Sequence, residues 1–564
     1  MKDAETPTDL ALRPPDEVMR FARLGSLHQS RLSFMRQLTR RLAREDWAFD
    51  RPVWEVDGAG VGHAVYLARG PERTYALVAF AHDLPADQRS DRVIAEAWDA
   101  TFTLFDGVPG PDDIARLALN VPVQEAGRIS GSELTLARAN RSVRLWEHVV
   151  GALSRGRQPD PAEMARVGYL MRTTAVYGSG KFGAADREAI AERVELAPPF
   201  QAEMLTVYLI RTFVCDLVNH MARAKGGGSA VPLGRDAARA LGIGNSTGLG
   251  MAPFLINHPG LLHNWIAARE TAIARVRARK EATAEEAALF RAALGGARRT
   301  VDHWHTDSPL LTDRIAGLGR DLARIADAAR DLSGPSPWDR LCRFADASLG
   351  TEAQECLASL ILEPYPALVD DLCKRMADDA PAYRPIDGRM RAGEMRAMIE
   401  ARYGWALGID WGAPEALARV WYVSEEKLEP RLGERATEPL DAYEEPLAPG
   451  RDVARLFAAL GKVAPATPLA DVLREQPDLR HAARRVQATE GKDYAEIRDN
   501  TIGAALLPID MLRAKLSFFG ATGFDPRSDR WVRICMFAGA PYPDEIDRGN
   551  ADLWVYPGLV EGRA

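Results

Sequence analysis

Residues 204–228, MLTVYLIRTFVCDLVNHMARAKGGG, carry a helical pattern in two halves. The first half is apolar almost all round, as expected of a helix buried among other elements. The second carries Thr212, Asp216, Asn219, His220 and Arg223, which at about 100° per residue fall within roughly a 100° sector. Asp216 and His220 stand four apart, so the carboxylate can hold the imidazole in one tautomer, an arrangement suited to general acid–base work. Arg211 projects away from this stripe, among Val207, Val214 and Val218. A guanidinium buried there needs an anionic partner, either a carboxylate of the protein or a ligand. An amphipathic helix turning its polar face to water would carry the same stripe.

Outward from this helix, residues 111 to 330 keep a helical texture rich in Ala, Leu, Arg and Glu, with start signals such as Pro159-Asp160-Pro161-Ala162-Glu163 and Asp307-Ser308-Pro309. Before it, an amphipathic helix near residues 15 to 46 is followed by VWEV, HAVYLA and TYALVAFAH within 53–82. These are joined by Asp57-Gly58-Ala59-Gly60 and Arg69-Gly70-Pro71-Glu72, the punctuation of hairpins. Ser333-Gly334-Pro335-Ser336-Pro337 reads as a linker. The fold class expected is therefore mainly α with minor antiparallel β, a multi-domain helical protein. Its expected domains are 1–110 (a helix and a small sheet), 111–332 (helical, with glycine-rich loops) and 338–564 (mixed α/β).

Length and composition set the class of molecule. A chain of 564 residues exceeds one ordinary domain of about 100 to 150 residues. Apolar residues make up 46% and charged ones 27%, a globular balance. Acidic residues outnumber basic ones by 79 to 72 and the signs are interleaved, so no nucleic-acid stripe is expected. With no signal-type segment or apolar span, and five scattered cysteines, the expected setting is cytoplasmic, with no membrane partner.

From Ala240 to Ala268 the 29 residues include no Asp, Glu, Lys or Arg, so this segment is expected to be buried. Its glycine-rich part, Gly242 to Gly250, holds Asn245, Ser246 and Thr247. Backbone N–H groups and hydroxyls of this kind can cradle an anion, although the same glycines could serve close helix packing. Tyr177-Gly178-Ser179-Gly180-Lys181-Phe182-Gly183 matches GxGxxG, but the preceding MARVGYLMRTTAVYG reads as helix, so a dinucleotide fold is not expected. What remains there is Ser179, with Lys181 and the nearby Arg172 as cations. His303-Trp304-His305-Thr306-Asp307 and the pair His258 and His263 lack the context of a metal site, and no structural metal is expected.

Two functional readings follow. The first is a cytoplasmic enzyme acting by acid–base chemistry, of lyase, isomerase or hydrolase type, on a small anionic metabolite. His220 would be the acid or base and Asp216 its orienter. Arg172, Ser179, Lys181, Arg211, Asn219, Arg223, Asn245, Ser246 and Thr247 would bind the substrate. The second is a non-catalytic helical binding or scaffold protein. No motif specifies a cofactor.

Overall fold

A computed structural model describes residues 11–85, 97–124, 130–173, 190, 192–247, 251–304, 306–377, 385–413, 421–423, 431–432, 445–498, 508–525 and 532–555. The chain forms two compact units, each discontinuous in sequence. One comprises Met1–Gly25, Gly248–Ala278 and Asp371–Arg513, the other Ser26–Thr247, Arg279–Asp370 and Ala514–Ala564.

The second unit is organised by a sheet. Its strands are β1 (Ala48–Val56), β2 (Gly62–Arg69), β3 (Thr74–Ala81), β4 (Ala100–Asp106), β5 (Glu133–Arg141), β6 (Tyr169–Thr173) and β7 (Gly242–Thr247), joined late in the chain by β11 (Gly523–Asp525) and β12 (Val532–Met536). The order is β1-β2-β3-β4-β5-β6-β7-β12-β11. Neighbours run antiparallel except β6 and β7, which are parallel.

The first hairpin is where the turn residues placed it. Gly62 has φ +141°, and a Cβ there would lie 1.9 Å from the Glu55 carbonyl oxygen, so only glycine fits. β1 is an edge strand, and it carries Pro52 at a break in register between Asp50 and Val53. A proline and an irregular register both discourage pairing with another chain at the edge.

Both faces of the sheet are covered. On one lies the helix Gln201–Gly226, which we call the central helix. Its Phe213 ring meets Phe102 edge-on at 5.4 Å, and Thr206 shares a 2.8 Å hydroxyl contact with Thr135 of β5. On the other, the helix Pro111–Asn120 places Leu117 against Val65, Val78, Phe80 and Leu136. Tyr75 to Ala81 of β3 are consequently all buried.

These observations overturn the expectation of a mainly α protein with minor antiparallel β. The molecule is 53% helical and 13% strand, and its sheet is mixed and curls into a half-barrel. The reason is physical. Strands buried on both faces lose the polar–apolar alternation that marks a half-exposed strand. ELTLARANR of β5 and YLMRT of β6 are rich in Leu, Ala, Arg and Met, which favour helices when nothing else decides. Gly168, at φ +77°, donates its N–H to Met164 O (2.7 Å), ending the helix Pro161–Val167 and turning the chain into β6. Of the glycines read as a loop, Gly242 and Gly244 lie in β7 instead, and Gly248 and Gly250 lie outside the described residues. A Cβ on Gly242 would stand 2.4 Å from Met536 O, and one on Gly244 2.6 Å from the Tyr169 and Arg172 side chains.

A buried charge network crosses the same unit. Arg36, on the helix Phe34–Arg44, donates both Nη atoms to Glu363 at 2.7 Å and Nε to Asp552 at 2.8 Å. Arg31 and Arg40 also reach Asp552, at 2.5 and 2.9 Å, and Asp370.

The first unit is mostly helical. The helices Ala392–Leu407, Pro449–Leu460, Leu469–Glu475 and Arg480–Ala488 enclose a core of Met395, Ile399, Tyr403, Leu456, Val472 and Val486. Three short strands, β8 (Trp421–Val423), β9 (Arg431–Leu432) and β10 (Glu445–Leu447), form a separate sheet. Half-buried Arg485 grips Glu496 at 2.6 and 2.8 Å, and Tyr403 donates to the same carboxylate at 2.7 Å.

The uncharged stretch 240–268 contributes to both units: β7 belongs to the second, and the helices Met251–Asn257 and Pro259–Arg277 to the first. Its described residues are mostly buried. Among the described residues, no helix is long and apolar enough to cross a membrane.

Candidate functional site

Three members of the polar stripe of the central helix are engaged by the β1–β2 hairpin or a neighbouring loop: Asp216, His220 and Asn219. Asp216 Oδ2 accepts from Arg51 Nη1 at 2.6 Å and from the Tyr66 hydroxyl at 2.8 Å. His220 Nε2 lies 2.7 Å from the Asp57 carbonyl oxygen, and Trp54 Nε1–H donates to its Nδ1 at 3.4 Å. These partners assign a neutral imidazole protonated at Nε2. The structure thus gives Asp216 and His220 separate partners, so the carboxylate does not orient the ring. Asn219 Oδ1 accepts the Leu233 N–H at 2.8 Å, pinning the loop after the helix. Arg223 is exposed in the last turn.

Arg211 is 2% exposed, and its hydrogen-bond partners are backbone carbonyls rather than a carboxylate. Its guanidinium donates to Leu241 O (2.9 Å), Arg239 O (3.1 Å), Ala238 O (3.4 Å) and Ala540 O (2.8 Å), and lies 4.0 Å over the Tyr542 ring. Three of these oxygens are at the C-terminus of the helix Arg235–Ala240, where carbonyls lack intrahelical donors and carry partial negative charge. Arg211 caps that helix from outside. Arg211→Met is therefore expected to destabilise the protein by about 2 to 3 kcal/mol through unanswered carbonyls, with equal loss in the presence and absence of small anions. Urea denaturation measures this, and a loss below about 0.5 kcal/mol would refute the capping role.

The glycine-rich elements lead elsewhere. Ser179 and Lys181 lie outside the described residues. Ser246 and Thr247 are in β7, opposite Arg533 and Val532. Asn245, fully buried, donates from Nδ2 to Thr173 O at 2.8 Å, and its Oδ1 accepts from Lys515 Nζ at 2.5 Å. Lys515 opens a π-helical turn, Lys515–Gly520, a widened geometry often found at functional sites. It is 2% exposed, and burial pushes its ammonium down to about 7.

Lys515 was missed by sequence reasoning. A lone lysine before LSFF carries no signal of its own, because its partner Asn245 lies on β7, distant in sequence. It meets Asn245 toward the carboxyl end of the parallel β6–β7 pair, the end at which open sheets of parallel strands characteristically bind ligands.

Arg172 stands at the same end but on the opposite face. It is buried, opposite Asn140 of β5 and Gly244 of β7, whereas Asn245 is the next residue along and so points to the other side. On the Arg172 face, Arg138 lies opposite Thr101 and 4.1 Å over the Trp98 ring. The structure therefore brings Asn245 to Lys515, places Arg172 across the sheet from them, and leaves Asp216, Asn219, His220, Arg211 and Arg223 on other surfaces of the central helix.

No group of three or more His, Cys, Asp or Glu is gathered as a metal site among the described residues. His258 Nδ1 bonds Phe254 O, and His263 Nδ1 accepts the Tyr494 N–H. Burial pushes His263 down to about 4. The five cysteines, all among the described residues, form no disulfide. Comparison with protein families, curated proteins and solved structures finds no match in any of the three.

Proposed function

We propose that the protein is an enzyme acting by acid–base chemistry on a small anionic metabolite, with Lys515 as the proton-transfer group and Asn245 as the residue that positions it. The supporting observation is a buried amine that titrates near 7 and is hydrogen-bonded at 2.5 Å at the end of a parallel strand pair. Near neutral pH such an amine is present in both forms, so it can take a proton from a substrate and return it. The roles read for His220 and Asp216 pass to this pair, since those side chains are committed to the hairpin. The anionic character of the substrate is supported by the positive charge that Lys515 carries when protonated. The interleaved charge of the sequence and thiols that form no disulfide favour a cytoplasmic setting. The competing reading, a non-catalytic binding or scaffold protein, draws on the same lysine's burial, since a side chain only 2% exposed can also be purely structural.

A panel of small carboxylates and phosphorylated metabolites, screened by melting temperature and followed by NMR for turnover, separates the two. At least one binder should be consumed by the wild type roughly 100-fold faster than by Lys515→Gln, with a rate that rises through pH 7. Equal turnover by the variant, or binders that are never transformed, would sink the enzymatic reading.

A further inference from the structure

The Arg172 face of the sheet contains donors that the protein does not answer. Trp98, just before β4, and Asn140, on β5, each bury a nitrogen that has no hydrogen-bond partner: Trp98 Nε1 and Asn140 Nδ2. The orientation of the Asn140 amide is set, because its Oδ1 accepts the Asp99 N–H at 3.1 Å, leaving the NH2 end unmatched. Asn140 is only 6% exposed, so bulk water does not satisfy it. An indole N–H and an amide NH2 can only donate. What completes them must present acceptor oxygens.

Two guanidiniums stand beside these donors. Arg172 is the cross-strand neighbour of Asn140, and Arg138, two residues before Asn140 on the same face, stacks on Trp98. The nearby carboxylate, Asp99, is buried and already accepts the Arg141 N–H at 2.9 Å, with Arg141 Nε 3.7 Å away. His82 contacts Thr101, the residue opposite Arg138, at 3.0 Å, and burial keeps this imidazole below its ordinary value, hence neutral at pH 7. Donor-only groups bordered by two guanidiniums suit an oxyanion and disfavour a cation.

We propose that Trp98 and Asn140, flanked by Arg138 and Arg172, form a binding site for the carboxylate or phosphate group of a small molecule. The site takes from the functional reading above only that the ligand is anionic, and it does not depend on Lys515.

The test uses the full chain at pH 7, with inorganic phosphate and succinate as probes in titration calorimetry. Two variants remove one donor each while keeping shape: Trp98→Phe preserves the ring beneath Arg138, and Asn140→Asp preserves the acceptor for the Asp99 N–H. The wild type should bind at least one probe, and the tighter of the two tells phosphate from carboxylate recognition. Each variant should weaken that binding tenfold or more. The site is refuted if neither probe binds the wild type, or if both variants bind as well as the wild type. Absence of turnover in the metabolite screen would leave this result standing, so the two readings fail separately.

Discussion

Between pH 7 and pH 10 the wild-type protein should gain up to about 4 kcal/mol of stability from Lys515 alone, and Lys515→Met should lack that gain. The lysine titrates near 7 in the folded state, through burial, against 10.5 in the unfolded chain. In the window between these values the unfolded state holds the extra proton, so unfolding takes up a proton and stability rises with pH. The roughly three pH units of this window, at about 1.36 kcal/mol each, set the size of the effect. Below pH 7 both states are protonated, the slope vanishes, and the full cost of a buried ammonium is present. At pH 6 Lys515→Met should accordingly be more stable than the wild type by about 2 kcal/mol or more, after allowing about 1 to 3 kcal/mol for the Asn245 oxygen left without its donor. Urea denaturation of both proteins from pH 6 to pH 10 measures the difference. Parallel stability curves would show that the amine is neither desolvated nor shifted. A residue whose removal stabilises the fold is retained for something other than stability, which links this measurement to the proposed chemistry.

How far the sequence spoke depended on whether local residues or distant ones made each environment. The β1–β2–β3 meander was legible because its turns carry Gly58, Gly60 and Gly70, and its strands hold β-branched and aromatic residues. β5 and β6 were not, since strands covered on both faces have no period to betray them. The glycines of β7 looked like a loop because close strand approach and loop flexibility call for the same residue. On the central helix, the spacing of Asp216 and His220 correctly put them on one stripe, yet spacing says nothing of what lies across it. Arg51, Tyr66, Trp54 and Asp57 come from the hairpin and capture each side chain separately. For Arg211, the apolar neighbours foretold burial and the need for a partner. That the partner would be the carbonyls of a helix end formed some 27 residues later required the tertiary fold. Asn245 was singled out for its place in an uncharged stretch, while Lys515, its partner 270 positions away, had no local mark.

Arg36→Met should destabilise the protein by about 3 to 5 kcal/mol at pH 7, the cost of stranding a buried carboxylate. Arg36 is 1% exposed and Glu363 5%, and the two share a bidentate contact at 2.7 Å, so solvent cannot replace the lost partner. Asp552 would be hurt less, because Arg31 and Arg40 still reach it. Replacing both members of the pair, Arg36→Met with Glu363→Leu, should recover most of the loss, since a well-packed apolar pair can match a buried ion pair once both desolvation costs are gone. The network also sets an acid limit. Burial pushes the Asp552 carboxyl up, but Arg36, Arg40 and Arg31 outweigh it and hold the group well below the ordinary carboxylate range. A carboxyl depressed in this way contributes stability above its unfolded value of 3.8 and loses that contribution as pH falls below it. Wild-type stability should therefore drop steeply below pH 4, and Arg36→Met, which weakens the hold on Asp552, should show a shallower acid slope. Guanidinium unfolding of the wild type, the single variant and the double variant at pH 7 and pH 3 tests all three statements. A single variant within about 1 kcal/mol of the wild type at pH 7 would mean that the Arg36–Glu363 pair is hydrated in solution, and that the helix Phe34–Arg44 is held by its apolar face alone.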